Sequence, residues 1–129
     1  MPALISMSAG TVVFGFSNRR HPEMHALITA EDAMGRRTDV LATSTMVFNI
    51  FLTAGTAKLI PVPSGARHVL FSATGNFWVR FGGAVALPVS DILDGSGPEL
   101  NPAARTVDAI AALGMVAPAD CAVSLAFYG

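Results

Sequence analysis

Charged side chains are scarce in this sequence. Only 13% of its 129 residues are Asp, Glu, Lys or Arg, whereas 52% are hydrophobic; ordinary globular domains carry roughly 25% charge. Eight basic and nine acidic residues give a formal net charge of −1, which supplies no field to attract a phosphate backbone. We therefore expect no nucleic-acid partner. The scarcity of charge would be explained if another protein covers part of the surface. The alternative is that the many Ala, Gly, Ser and Thr residues face water without charge.

Cysteine is almost absent as well. Cys121 is the only one, which excludes a disulfide within the chain and is compatible with the cytosol. Its apolar, alternating surroundings predict a buried, inert thiol. The first 18 residues and residues 40–57 carry no charge, but polar side chains interrupt both stretches. We therefore expect neither a signal peptide nor a membrane span.

Short runs in which apolar and polar residues alternate are abundant, and Gly, Pro, Asn and Asp separate them. This pattern is typical of half-buried antiparallel strands. We predict a single all-β domain over residues 1–129, a β-sandwich or jelly roll of about seven or eight short strands. The apolar faces of the clearest runs predict the core residues Phe77, Val79, Phe81, Val123, Leu125 and Phe127.

Several local expectations follow from the same pattern. Residues 46–52 are apolar on both faces, which favours a central strand, and residues 67–73 and 77–81 are expected to pair as a hairpin across the turn at 74–76. Residues 84–87 would form an edge strand that ends at Pro88. Residues 91–102 are typical of a long ordered loop.

The N-terminal third is less regular in its pattern. Val12, Phe14 and Phe16 indicate a strand, whereas residues 22–34 begin with a proline and carry apolar residues at helical spacing, which favours a short helix. Residues 1–42 together are a candidate N-terminal arm of less regular structure.

The sequence offers little that could carry catalysis. His21 and His25 stand four apart, but Pro22 occupies the place where a zinc-binding helix motif has its glutamate. His68 stands alone, so no His-x-His or His-x-Asp pair for a cupin-like metal site exists. Cys121 and the serines have no evident histidine base. We expect no enzyme activity, no cofactor and no metal; a metal-dependent hydrolase using the histidines is the third hypothesis.

Trp78 and Arg80 fall on one face of a predicted strand, opposite its core residues. An aromatic ring beside an arginine is typical of a protein interface and also of a carbohydrate-stacking platform; ordinary packing in a second layer is the plainer interpretation. The candidate interface residues are Trp78, Arg80, Tyr128, Arg19 and Arg20.

The stretch from Val62 to Gly129 resembles small proteins encoded among the virion genes of tailed bacteriophages. The resemblance lies in three features that occur in the same order: an FWVRFG strand, a Glu-Leu-Asn-Pro loop and a terminal SLAFYG strand. It covers roughly the second half of the chain and brings no active-site residues with it.

The resemblance implies a structural virion protein with a β-sandwich or jelly-roll body. We expect a capsid decoration or cement protein, assembled in the host cytoplasm and located on the capsid surface, with the major capsid protein and further copies of itself as partners. A head-fibre or tail accessory subunit is the close alternative. A glycan-binding β-sandwich, using Trp78, Arg80 and loop residues near Asp94 and Asn101, is the alternative from another class.

Overall fold

The computed structural model describes residues 24–31 and 33–129, and within these it contains ten β-strands and no helix. Every strand pair is antiparallel. The all-β prediction is therefore confirmed. The strands are β1 (Thr29–Glu31), β2 (Arg37–Leu41), β3 (Met46–Leu52), β4 (Lys58–Pro61), β5 (His68–Ala73), β6 (Trp78–Phe81), β7 (Glu99–Leu100), β8 (Ala104–Thr106), β9 (Ala112–Val116) and β10 (Cys121–Tyr128).

Eight of these strands form two four-stranded sheets. The first sheet has the order β3-β10-β5-β8 and the second the order β4-β9-β6-β7. The pairing is nested, since β3 pairs with β10, β4 with β9, β5 with β8, and β6 with β7. The chain thus behaves as one long antiparallel ribbon rolled into two layers. This strand order is that of a jelly roll.

The core lies between the two sheets. Alternate residues of β10 point into it, and Val123, Leu125 and Phe127 are almost fully buried, as are Phe77 and Val79 from the second sheet. Phe81 is only half-buried but packs against this core. Phe71 of β5 joins the two layers, because its ring lies 5.9 Å from that of Phe77 and 6.1 Å from that of Phe81.

The structure corrects three local expectations. β5 and β6 belong to different sheets, so residues 67–73 and 77–81 form no hairpin; the turn at 74–76 instead carries the chain from one layer to the other. Among the described residues, β3 lies at the edge of its sheet and not inside it as expected. Residues 84–87 form no strand, because they lie across the outside of the second sheet rather than at its edge.

The expected helix over residues 22–34 is wrong in the part that the structure describes. Thr29–Glu31 instead pairs with Arg37–Leu41 as a two-stranded hairpin outside both sheets. The spacing of apolar residues alone cannot distinguish a helix from a strand in so short a run. The candidate arm therefore contains regular structure over residues 29–41, while the strand predicted around Val12, Phe14 and Phe16 lies outside the described residues.

Gly114 of β9 shows where the chain closes over the second sheet. A Cβ at this position would stand 3.1 Å from the nitrogen and 3.2 Å from the Cβ of Val85, and closer still to the carbonyl oxygen of Gly83. Only a residue without a side chain permits so close an approach. Residues 83–85 therefore lie directly on the outer face of the sheet, and Val116 on that same face is fully buried.

Candidate interaction surfaces

Trp78 and Arg80 lie on the outer face of the second sheet, as the alternation predicts. Trp78 is half-buried, and its cross-strand neighbour Val116 is completely covered. Arg80 is exposed, and its guanidinium donates a hydrogen bond to the carbonyl oxygen of Ser96. The pair thus lies where residues 83–98, which we name the cover loop, pass over the sheet. This arrangement favours second-layer packing over an open stacking platform.

The far end of the cover loop is held by Asp94. Its Oδ1 accepts hydrogen bonds from the Ser96 hydroxyl at 2.6 Å and from the Ser96 N–H at 3.0 Å. These two bonds, with a smaller attraction to Arg80, keep the pKa of Asp94 below its ordinary value. Gly95 supplies the positive φ of 89° that this turn requires. Asp94 is therefore occupied in shaping its own loop.

Asn101 ties the Glu-Leu-Asn-Pro segment, whose Glu99–Leu100 form β7 within the loop expected over residues 91–102, to the start of β6. Its Oδ1 accepts the N–H of Phe77 at 2.9 Å, its own N–H donates to the Phe77 carbonyl at 2.9 Å, and its Nδ2 donates to Asn76 Oδ1 at 3.0 Å. Its φ is +49°, a region that asparagine tolerates better than most residues. We name this arrangement the asparagine clip. Neither Asp94 nor Asn101 thus presents a free side chain for a glycan.

The other candidate interface residues have different outcomes. Tyr128 is only 3% exposed, and its hydroxyl donates to the carbonyl oxygen of Ala42 at 2.8 Å. Tyr128 is therefore not an exposed interface residue, and its hydroxyl instead holds the chain that leads into β3. Arg19 and Arg20 lie outside the described residues.

The described histidines lie apart from one another. His25 Nδ1 donates to the carbonyl oxygen of Thr43 at 2.8 Å, which holds the entry of the chain against the segment before β3. His68 lies on β5 with Nδ1 buried and without a hydrogen-bond partner. Among residues 24–31 and 33–129, no three His, Cys, Asp or Glu side chains form a group suited to a metal ion. His21 lies outside this part.

Cys121 is half-buried rather than fully buried. Burial, together with the neighbouring charge of Asp120, raises the pKa of its thiol, which lowers the fraction of reactive thiolate. Its Sγ lies 3.8 Å from the carbonyl oxygen of Asn76. The expectation of an inert thiol agrees with this environment.

Large apolar side chains are exposed at the tip of the cover loop. Val89 is 95% exposed and Leu93 is 90% exposed, with Ile92 between them at 42%. Single exposed apolar residues are common on proteins, but a cluster in one loop indicates a surface that another molecule covers. The sequence predicts a loop over residues 91–102 and predicts no element for Val89.

A second apolar surface is the outer face of the first sheet. Small residues of β10, Ala122 and Ser124, form the floor of a shallow groove of about 500 Å³, and Phe51 of β3, which is 70% exposed, stands beside it. Opposite residues in the register place Asn49, Ser124 and Ser72 in one row across three strands. The groove is therefore open and largely apolar, and this polar row forms one side of it.

The hairpin of β1 and β2 carries a third set of exposed apolar side chains. Ile28, Met34 and Val40 are each more than half exposed. The bond from the Ala42 N–H to the Ile28 carbonyl closes the base of the hairpin, and the bond from the Tyr128 hydroxyl to the Ala42 carbonyl joins this base to β10. Apolar side chains thus project on a ribbon that lies outside both sheets.

Comparison with protein-family models, with curated proteins and with solved structures found no match. Within the described residues, no helix has the length and apolar character needed to cross a membrane.

Proposed function

We propose that this chain is a structural virion protein of a tailed bacteriophage, a decoration or cement protein that binds across neighbouring major capsid subunits and stabilises the shell. The observation that carries the proposal is the set of three separate apolar surfaces on one small jelly roll. A single-partner contact needs one surface, whereas a protein that joins several neighbours needs more than one.

The cover loop and the groove support a bridging role through their positions. The cover loop lies outside the second sheet, and the groove lies outside the first. A neighbour that binds Val89 and Leu93 and one that binds beside Phe51 would therefore approach from opposite sides of the sandwich. Such contacts oppose shell expansion through mass action, and repetition over a lattice makes weak single contacts sufficient.

Low charge also agrees with this role. Interface cores are depleted in charged residues and enriched in apolar ones, and 13% charge in this chain leaves large areas without a strongly hydrated side chain. Homo-oligomers on the capsid would cover such areas further, since identical subunits can use the same patches repeatedly.

The proposal is tested on particles of a tailed phage that encodes the chain. We expect mass spectrometry to find the chain in purified particles, and we expect added protein to raise the temperature at which particles lacking it release their DNA. The double variant Val89→Ser/Leu93→Ser should bind less while keeping its fold, because both side chains are almost fully exposed.

A second double variant, Ile28→Ser/Val40→Ser, removes exposed apolar side chains from the hairpin surface instead. Unequal effects of the two double variants would identify the capsid-facing side. Absence of the chain from purified particles would refute the virion proposal, and its presence only on tails would favour the accessory-subunit alternative.

A further inference from the structure

The outer edge of β3 is an unprotected strand edge in the part of the chain that the structure describes. β3 ends the first sheet and pairs on one side only, with β10. It is seven residues long and contains no charge and no proline. Proteins normally protect such edges with charges, prolines, bulges or covering chain, because an open edge is a template for pairing with another strand.

The register shows which backbone groups of β3 face outward. Thr74 N–H donates to the Ala122 carbonyl and Arg67 N–H to the Tyr128 carbonyl, so the even-numbered residues of β10 bond toward β5. Its odd-numbered residues therefore bond toward β3. Their partners on β3 are Met46, Phe48, Ile50 and Leu52.

The remaining β3 residues, Val47, Asn49 and Phe51, consequently turn their N–H and C=O groups away from the sheet. The Phe51 carbonyl agrees with this, because it accepts a hydrogen bond from Lys58 Nζ at 2.6 Å rather than from β10. The edge thus offers a run of three outward-facing N–H donors.

The core beside this edge is incompletely covered. Met46, Phe48 and Ile50 point inward and pack on the core, yet each is only partly buried, whereas their β10 partners Val123 and Leu125 are fully buried. One more strand at the edge would cover the inward side chains of β3 as β3 covers those of β10.

We propose that residues 11–17 of the same chain occupy this edge as an antiparallel strand. Their sequence, TVVFGFS, has no charge and places Val12, Phe14 and Phe16 on one face. Directed inward, these three side chains would extend the core past Met46, Phe48 and Ile50. This proposal is independent of the virion function.

The point at which the described chain begins supports this occupant. His25 bonds to the Thr43 carbonyl just before β3, and the Gly129 N–H donates to the His25 carbonyl. Met24, with which the described residues begin, therefore lies beside the Met46 end of β3. Residues 17–23 would connect the proposed strand to Met24, and fully extended they reach at most about 24 Å. Neighbouring strands lie only about 4.8 Å apart, so this connection is long enough to cross several of them.

The same geometry gives the direction of the proposed strand and the residues whose N–H groups face β3. A segment that ends at the Met46 end of β3 runs antiparallel to it, and inward side chains at residues 12, 14 and 16 leave the N–H of Val13 directed at β3. Proline at position 13 would remove a backbone N–H that donates a hydrogen bond to β3. Proline at position 12 would remove only a backbone N–H that faces solvent.

Hydrogen exchange of backbone amides, measured by NMR on dilute monomeric full-length protein, tests the proposal. We expect the N–H groups of Val47, Asn49 and Phe51 to be protected, and to exchange about tenfold or more faster in Val13→Pro but much less so in Val12→Pro. The Phe48 and Ile50 amides, which bond to β10, should stay protected in all three proteins and report an intact sandwich.

Two results would overturn the proposal. The three outward amides could exchange at the same fast rate in the unsubstituted protein and in Val13→Pro, which would mean that the edge is open. Alternatively, their protection could survive Val13→Pro or rise with protein concentration, which would mean that a second copy pairs at the edge instead.

Discussion

Gly114 lies against the carbonyl of Gly83, with no room between them for a side chain. Replacing Gly114 with alanine is expected to lift the start of the cover loop from the sheet and to destabilise the protein by about 1–3 kcal/mol, the usual cost of overpacking. Chemical denaturation of the Gly114→Ala variant would measure the loss.

The neighbouring Gly83→Ala is the matched control, because a Cβ there would meet nothing within 4 Å. It should change stability by less than about 0.5 kcal/mol. Equal stability of the two variants would show that the contact over Gly114 is not tight.

The asparagine clip predicts a graded series at position 101. Asn101→Ala loses the bonds to Phe77 N–H and Asn76 and keeps an unfavourable φ of +49°, so we expect a loss of about 2–3 kcal/mol. Asn101→Gly removes the backbone strain at this φ and should lose less stability than Asn101→Ala. Thermal denaturation of both variants measures the difference, and a less stable glycine variant would contradict this account.

Ala109 offers a stabilising substitution. It has a φ of +64°, lies in the turn closed by the bond from the Ile110 N–H to the Val107 carbonyl, and is exposed. Ala109→Gly should raise the free energy of unfolding by about 0.5–1 kcal/mol, because glycine adopts this conformation without steric cost. Ala109→Val should lower it. The opposite order of these two variants in urea denaturation would refute the prediction.

Acid is expected to loosen the cover loop. The pKa of Asp94 is lowered by its bonds from Ser96, so the ionised form stabilises the folded turn; this contribution is complete above the unfolded-state pKa and is lost as the pH falls through the folded-state value, below about pH 4. The Ser96 amide resonance should titrate there in NMR spectra. Asp94→Asn should abolish that titration, and a Ser96 amide that titrates equally in the variant would contradict the assignment.

The sequence could predict much of the core. Val123, Leu125 and Phe127 alternate with small or polar residues, and alternation directly reports which side of a strand faces the interior. Phe77 and Val79 were found in the same way. At these positions the alternation in the local sequence is enough to predict that the side chain is buried.

Pairing partners could not be predicted by the same means. The turn at 74–76 looks like a hairpin turn, yet it joins two layers, because whether β5 meets β6 or β10 depends on strands far along the chain. β3 is apolar on both faces, yet among the described residues it has a neighbouring strand on one side only. The exposure of Phe51 is visible only once the sheet order is known.

The candidate site was predicted only in part. The positions of Trp78 and Arg80 on an outer face followed from alternation, but nothing in their local sequence shows that Ser96 of the cover loop bonds to Arg80. Gly114 offered a signal, since glycine within an apolar strand often marks close approach of another segment. The sequence gives no such signal for the exposure of Val89 and Leu93, because apolar and polar residues do not alternate regularly in their loop.

Nested strand pairing also sets the order in which the fold can be completed. β10 lies between β3 and β5, and Ser44 bonds to a residue 83 positions later in the chain. During synthesis, the strands made earlier must wait without their central partner until β10 has left the ribosome. Such long-range closure slows folding and leaves apolar edges open meanwhile. Even a short truncation within β10 should therefore leave a chain that aggregates rather than a smaller folded domain.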